Sequence, residues 1–184
     1  MTGTMAPTRG VGATDGAGGA RRAETVLTVL ATVAMALMAG TFYAYAVSVM
    51  VGLHRTDDLT FVTTMQDLNE VTPNAAFAPA LLGALVLPIA ATAVAVSRRS
   101  RARAPLAAAA VLYAAAFVVT IAGNVPRNDD LEAAGPPDQI ADVHQVREDF
   151  EDPWVLWNDV RTVLTTGGLV ALVVALRRGN AQEP

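Results

Sequence analysis

A chain of 184 residues that is 53% hydrophobic and only 16% charged, with mean hydropathy +0.39, is too apolar for an ordinary soluble domain and points to the bilayer as its solvent. The sequence has no cysteine, which excludes disulfides, thiolate catalysis and cysteine-held metals, and no lysine; its net charge of -4 argues against nucleic acid as a partner. Four apolar runs and two polar connections use up the length, leaving one membrane domain (25–178) between a disordered cytoplasmic tail (1–24) and a short cytoplasmic tail (179–184).

The first twenty-odd residues are rich in Gly, Ala and Thr. Arg21 and Arg22 then precede an apolar run, 25–51, far longer than a signal-peptide core, which predicts a retained anchor. Ala23-Glu24-Thr25 lacks the apolar residues that follow a twin-arginine signal, so the pair is read as a topology signal. Within this span Thr32, Ala36, Gly40, Ala44 and Ser48 recur every four residues, a small-residue row suited to close packing within the chain or between protomers. The connection at 57–70 places Leu59, Phe61, Val62, Met65 and Leu68 at spacings of three and four behind Asp57 or Asp58 as N-cap. That pattern predicts an amphipathic helix over the bundle, a candidate lid.

Span two, 77–97, carries Pro88 at its middle, where a missing backbone donor predicts a kink. Arg98, Arg99, Arg101 and Arg103 separate it from span three, 104–123, whose partly small face runs through Ala108, Ala116, Thr120 and Asn124. Asn124-Val125-Pro126-Arg127-Asn128 follows, two amides bracketing a proline, and reads as a turn. Beyond Gly135-Pro136-Pro137 a second amphipathic helix is expected at 138–150, burying Ile140, Val143, Val146 and Phe150. Asp152-Pro153 then reads as a cap with a first-turn proline, so span four, 155–176, is predicted to start there, with Trp154 and Trp157 at interfacial depth. Gly167, Ala171 and Ala175 give it a small face of its own. The expected fold class is all-α: an integral membrane four-helix bundle with amphipathic helices in the two outer loops.

Nine of the thirteen arginines fall on the side that carries both termini, and the long acidic loops on the other. The positive-inside rule therefore predicts a multi-pass protein of the cell membrane with both termini cytoplasmic.

On a helix starting at Pro153, Trp154, Asn158, Arg161 and Thr165 share one face. A guanidinium keeps its charge and costs several kcal/mol in hydrocarbon, so Arg161 is either an anion- or enolate-binding group in an outward pocket or a structural arginine tying span four to carbonyls or to an acidic residue such as Glu70, Asp129 or Asp130. Asn124, Asn128 and Asn158 join it in one outer polar layer, walled by Tyr43, Tyr45, Trp154 and Trp157. His54 and His144 lack metal-ligand spacing, so no metal site is expected; His54 remains a candidate general base. Ser48, Thr165 and Thr166 have no adjacent base, and no glycine-rich phosphate loop occurs.

Gly52-Leu53, Phe61 with Met65-Gln66 and Asn69, Asn124-Val125-Pro126-x-Asn128-x-x-Leu131, and Trp157-Asn158-x-x-Arg161-Thr162 together resemble the anthrone oxygenase-like family of small integral membrane proteins, catalogued as a domain of unknown function. The resemblance implies four membrane helices. For the few members with an assigned activity, it implies oxidation of an anthrone to an anthraquinone by molecular oxygen without a cofactor. Val51 stands where many relatives have proline. On that reading Arg161 would stabilise the enolate oxygen, Asn124, Asn128 and Asn158 would orient a tricyclic substrate, and His54 would take the proton. The partners implied are membrane lipid and a small apolar aromatic substrate, with the small-residue faces offering a route to homo-oligomers. Two other classes stand beside it: a non-catalytic assembly or scaffold protein, and a lipid- or quinone-binding module. A small transporter ranks below both, because four spans without an inverted repeat lack its usual frame.

Overall fold

A computed structural model describes residues 12–180, and every described element is helical or a connecting turn. Hydrocarbon offers no partner to a free backbone amide, so apolar stretches of this length satisfy their backbone internally as helices. Four helices are long and apolar enough to cross a membrane: Gly18–Leu53, Phe77–Ser97, Arg103–Ala133 and Val143–Gly179.

The first rod consists of α1 (Gly12–Ala44), a π-helical turn (Tyr45–Val49) and α2 (Met50–Leu53). Helix α3 (Asp58–Val71) is the amphipathic helix expected after it; Asp57 caps it by accepting from the Thr60 amide at 3.0 Å, and Phe61, Val62 and Met65 are buried. The second span is α4 (Phe77–Ser97). The third is α5 (Arg103–Val119), a π-helical turn (Thr120–Asn124) and α6 (Val125–Ala133), and the last is α7 (Val143–Asn180). Helix α1 packs on α4 and α7, and α5 packs on the same two, which closes the bundle.

Large residues on one helix meet small ones on its neighbours. The inward face of α1 is Ala31, Met35, Met38 and Phe42, set against Ala84, Ala91 and Ala95 of α4 and Ala109 of α5. A methyl added at Gly168 of α7 would meet the Met35 thioether at 3.4 Å. The small row predicted on span one is not used this way within the chain: Ala36, Gly40, Ala44 and Ser48 are exposed on the outer surface. Close approach is achieved by glycine and alanine on the partner helices, so α1 contributes bulk.

Three boundaries differ from the sequence expectation. Residues 12–24, expected in a disordered tail, are helical, because extending a formed helix costs far less than nucleating one. Buried Glu24 also anchors that end by accepting from Arg98 Nη1 and Ser100 Oγ, each at 2.7 Å. Residues 1–11 and 181–184 of the predicted tails lie outside the described residues. Asn124-x-Pro126 is no turn, since helix continues through it with Pro126 in the first turn of α6. Likewise Asp152-Pro153 does not start a helix. Helix α7 runs through Pro153 from Val143, and a single missing backbone donor is outweighed by the packing of Phe150 on Phe61 and by the bonds of Arg147. The separate helix expected at 138–150 is thus the first part of α7, preceded by a short turn at Pro137–Gln139.

Candidate functional site

At the acidic end of the bundle, a cavity of about 260 Å³ lies below α3 and among all four rods. That is just under the roughly 300–1,000 Å³ of typical small-ligand sites. Phe42, Tyr45, Phe77 and Trp154 supply aromatic wall; Asn69, Asn124, Asn128, Asn158 and Arg161 supply polar groups.

Spacings of four and three along α7 bring Trp154, Asn158 and Arg161 to one inward face. Asn158 is a bracket: its amide Nδ2 donates to the Phe42 carbonyl at 3.1 Å, and its Oδ1 accepts from Arg161 Nη2 at 3.0 Å. The Arg161 guanidinium lies over the Phe42 ring at 4.3 Å and near Trp154 at 5.5 Å, cation–π contacts that suit a charge shielded from water. Arg161 is 6% exposed. Its Nε has no partner, and among the described residues no carboxylate lies within ion-pair distance of it. Glu70, Asp129 and Asp130, the carboxylates considered as clamps from sequence, do not reach it; its hydrogen-bond partner is the amide oxygen of Asn158.

The amides on the third span are placed by its π-helical turn. An i+5 turn inserts one extra residue and rotates the rest of the span by roughly 100° relative to an uninterrupted helix. Thr120, Gly123 and Asn124 are buried here. Asn124 Nδ2 donates to the Trp154 carbonyl at 3.2 Å, while its Oδ1 is left without a partner. Asn128 accepts from Trp154 Nε1 at 2.8 Å, which fixes the indole against the cavity. Gly123 makes a close approach: a methyl there would sit 3.0 Å from the Trp157 ring, which would have to give way by a few tenths of an ångström. Arg127 Nη1 donates to the Gly123 carbonyl at 2.6 Å.

From α3, Asn69 presents a buried Nδ2 that also lacks a partner. The roof is latched. Gln66 Nε2 donates to the carbonyls of Leu131 (2.8 Å) and Gly135 (3.1 Å), above an apolar cluster of Met50, Phe61, Met65, Leu131, Phe150 and Trp154.

The structure thus brings Arg161, Asn158, Asn124, Asn128, Trp154 and Tyr45 to one cavity. It does not bring the other three candidates there. Tyr43 is 57% exposed on the outside of the bundle. Trp157 packs on Gly123, and His54 sits on the outer rim, where its Nδ1 meets Glu151 at 2.8 Å. Phe42, Phe77 and Asn69 were not singled out as site residues. Phe42 and Tyr45 stand three apart on one helix, a spacing that places both on a face shared with the site.

A second buried arginine lies fourteen residues earlier on α7. Arg147 donates from Nε to Glu151 (2.7 Å), from Nη1 to Asp58 (3.0 Å) and the Thr56 carbonyl (2.8 Å), and from Nη2 to the His54 carbonyl (3.0 Å). It ties the turn before α3 to α7. Asp58 also meets His144 Nδ1 at 3.0 Å. No group of three or more histidines and carboxylates suited to a metal occurs among the described residues.

A family model described as anthrone oxygenase matches residues 70–171, a stretch that holds every cavity residue of α4, the third span and α7. The residues from α1 and Asn69 lie before it. No curated protein and no solved structure matches the chain.

Proposed function

Because the chain belongs to the anthrone oxygenase family, whose model covers more than half of it, we propose that the cavity below α3 is the reaction site of a cofactor-free oxygenase. Its substrate is a flat, apolar anthrone. The observation that carries this reading is Arg161: a buried guanidinium with no carboxylate to neutralise it, a free Nε, and aromatic walls around the space beside it. A charge left unpaired in a low-dielectric site awaits an anion, because there its attraction for a developing oxyanion is far stronger than in water.

In the proposed reaction the anthrone loses a methylene proton and becomes an enolate. Oxygen adds at that carbon, and the hydroperoxide eliminates water to leave the quinone carbonyl; one O2 is taken up and one water released. Arg161 stabilises the enolate oxygen, and Asn158 holds the guanidinium in place. Asn124 Oδ1, the free acceptor, receives a hydroxyl of the substrate, and Asn69 Nδ2 donates to it. Phe42, Tyr45 and Trp154 face the rings. His54 takes no part. The lining holds no carboxylate or imidazole, so the methylene proton passes to solvent while Arg161 lowers the cost of the enolate, and a proton from solvent converts the peroxide formed with oxygen to the hydroperoxide. The eight arginines described at the opposite end favour that end as cytoplasmic, and on that reading the cavity lies in the outer half of the membrane.

Oxygen uptake and anthraquinone formation by membranes carrying the protein, supplied with an anthrone, test this reading. Arg161→Ala is expected to lose most of the rate, and equal rates in the two proteins would refute the mechanism. A second reading, a lipid- or quinone-binding module, rests on the exposed apolar residues Ala78, Ile121 and Val125 at the cavity edge. It predicts tight binding of a flat quinone with no oxygen uptake.

A further inference from the structure

The end of the bundle that carries both described termini is strongly basic. Glu24 is the one carboxylate whose side chain is described there, and both its oxygens are engaged, by Arg98 Nη1 and Ser100 Oγ at 2.7 Å each. This clamp has a consequence for the loop between α4 and α5. Ser100 is buried and also accepts from the Ala102 amide at 3.2 Å, while Arg99 is held in the left-handed region at φ 54°, which a non-glycine residue adopts only when its surroundings enforce it. The loop is therefore fixed rather than free to fold its arginines away.

What it presents is a recess of about 430 Å³, lined by Arg99, Arg101, Arg103 and Arg178 with Ser100 and Ala104. None of the four guanidinium groups has a carboxylate partner among the described residues. Of the arginines in this loop Arg98 is neutralised, and the recess keeps four cations with no carboxylate partner among the described residues, converging from the loop, the start of α5 and the end of α7. Ala104 also begins a row that descends α5 into the membrane: Ala104, Ala108, Val111, Ala115 and Val118 follow at helical spacing, and all are exposed.

We propose that this recess binds the headgroup phosphate of an anionic phospholipid, with an acyl chain lying along the row from Ala104 to Val118. Forked guanidinium donors match phosphate oxygens in pairs, and basic pockets at the ends of membrane helices favour anionic headgroups. The apolar row decides for a lipid over free phosphate, which would leave it unused. A choline headgroup would bring a further cation to a recess that has no carboxylate to receive it.

The test is native mass spectrometry of the full chain released from nanodiscs of phosphatidylcholine with a minor share of phosphatidylglycerol. One phosphatidylglycerol is expected to remain bound, enriched about tenfold over its share. The double variant Arg101→Gln/Arg103→Gln is expected to abolish that enrichment. Arg22→Gln/Arg177→Gln removes the same charge from the same end but outside the recess, and is expected to retain it. Equal loss in both variants would reduce the effect to diffuse charge and overturn the proposal. So would release of the lipid by millimolar inorganic phosphate, or equal retention of the two lipids by the wild-type chain, a comparison that needs no variant. None of these readouts depends on oxygen chemistry at the other end.

Discussion

Arg147 and Arg161 lie on the same face of the same helix, about 21 Å apart along its axis, and both rest over a phenylalanine ring. Arg147 has two carboxylates and two carbonyls around it, at the rim of the molecule. Arg161 has one amide oxygen, deeper, with a free Nε and a cavity alongside. Burial alone does not separate a structural arginine from a functional one. The difference lies in whether the protein itself satisfies the charge: where it does, the residue ties elements together, and where it does not, the fold holds a cation at some cost and leaves it for a ligand.

The sharpest way to break this comparison is to remove each charge and measure stability and turnover separately. Arg161→Met is expected to lower anthrone-dependent oxygen uptake by about 10²–10³-fold, the loss typical of deleting an oxyanion donor. Its thermal midpoint should hold or rise, because no carboxylate is orphaned. Arg147→Met should behave in the opposite way, losing about 2 kcal/mol of stability as Asp58 and Glu151 lose their partner, with turnover per folded molecule unchanged; thermal melting beside oxygen-uptake assays checks both. Smaller in effect, Gly123→Ala forces a methyl against the Trp157 ring and should cost about 1–2 kcal/mol. If its melting temperature is unchanged, the third span does not need its close approach. Asn124→Ala removes the free acceptor and should weaken binding of a hydroxylated anthraquinone about fivefold, measured by titration in nanodiscs.

The smallest effect concerns the roof. The Thr60 amide and hydroxyl hold the Asp57 carboxyl below its usual range. A lowered folded-state value means that its contribution is present above the ordinary carboxylate range and is lost as pH falls through the folded value. The start of α3 should therefore fray as pH falls below the ordinary carboxylate range, seen as loss of hydrogen-exchange protection at the Thr60 amide relative to its intrinsic rate, and Asp57→Ala should show that loss already at neutral pH.

Much of this was legible in the residues. Apolar length announced the four spans, and the four-three-four spacing put Trp154, Asn158 and Arg161 on one face without any knowledge of their neighbours. Two of the misreadings share a cause, which is that local signals were overruled by distant contacts. Asp152-Pro153 has the grammar of a helix start, yet Phe150 and Arg147 keep the helix intact across it. His54 pairs with Glu151, ninety-seven residues away, and that pairing fixes it on the rim instead of over the cavity. The π-helical turns at Tyr45–Val49 and Thr120–Asn124 leave no mark in hydrophobic periodicity, although the second turns buried Asn124 inward. Small residues were ambiguous for another reason: a row of them suits a tight interface or simply faces outward, as Ala36, Gly40 and Ala44 do.

The claim that Arg161 is reserved for a ligand oxygen is tested most directly by the 15N–1H resonances of the two arginine Nε groups, assigned through Arg161→Lys and Arg147→Lys. An anthrone added without oxygen is expected to shift the Arg161 Nε signal as its free donor finds a partner, and to leave the Arg147 signal, already bonded to Glu151, where it was. A bound anthrone that leaves the Arg161 signal unmoved would contradict the account.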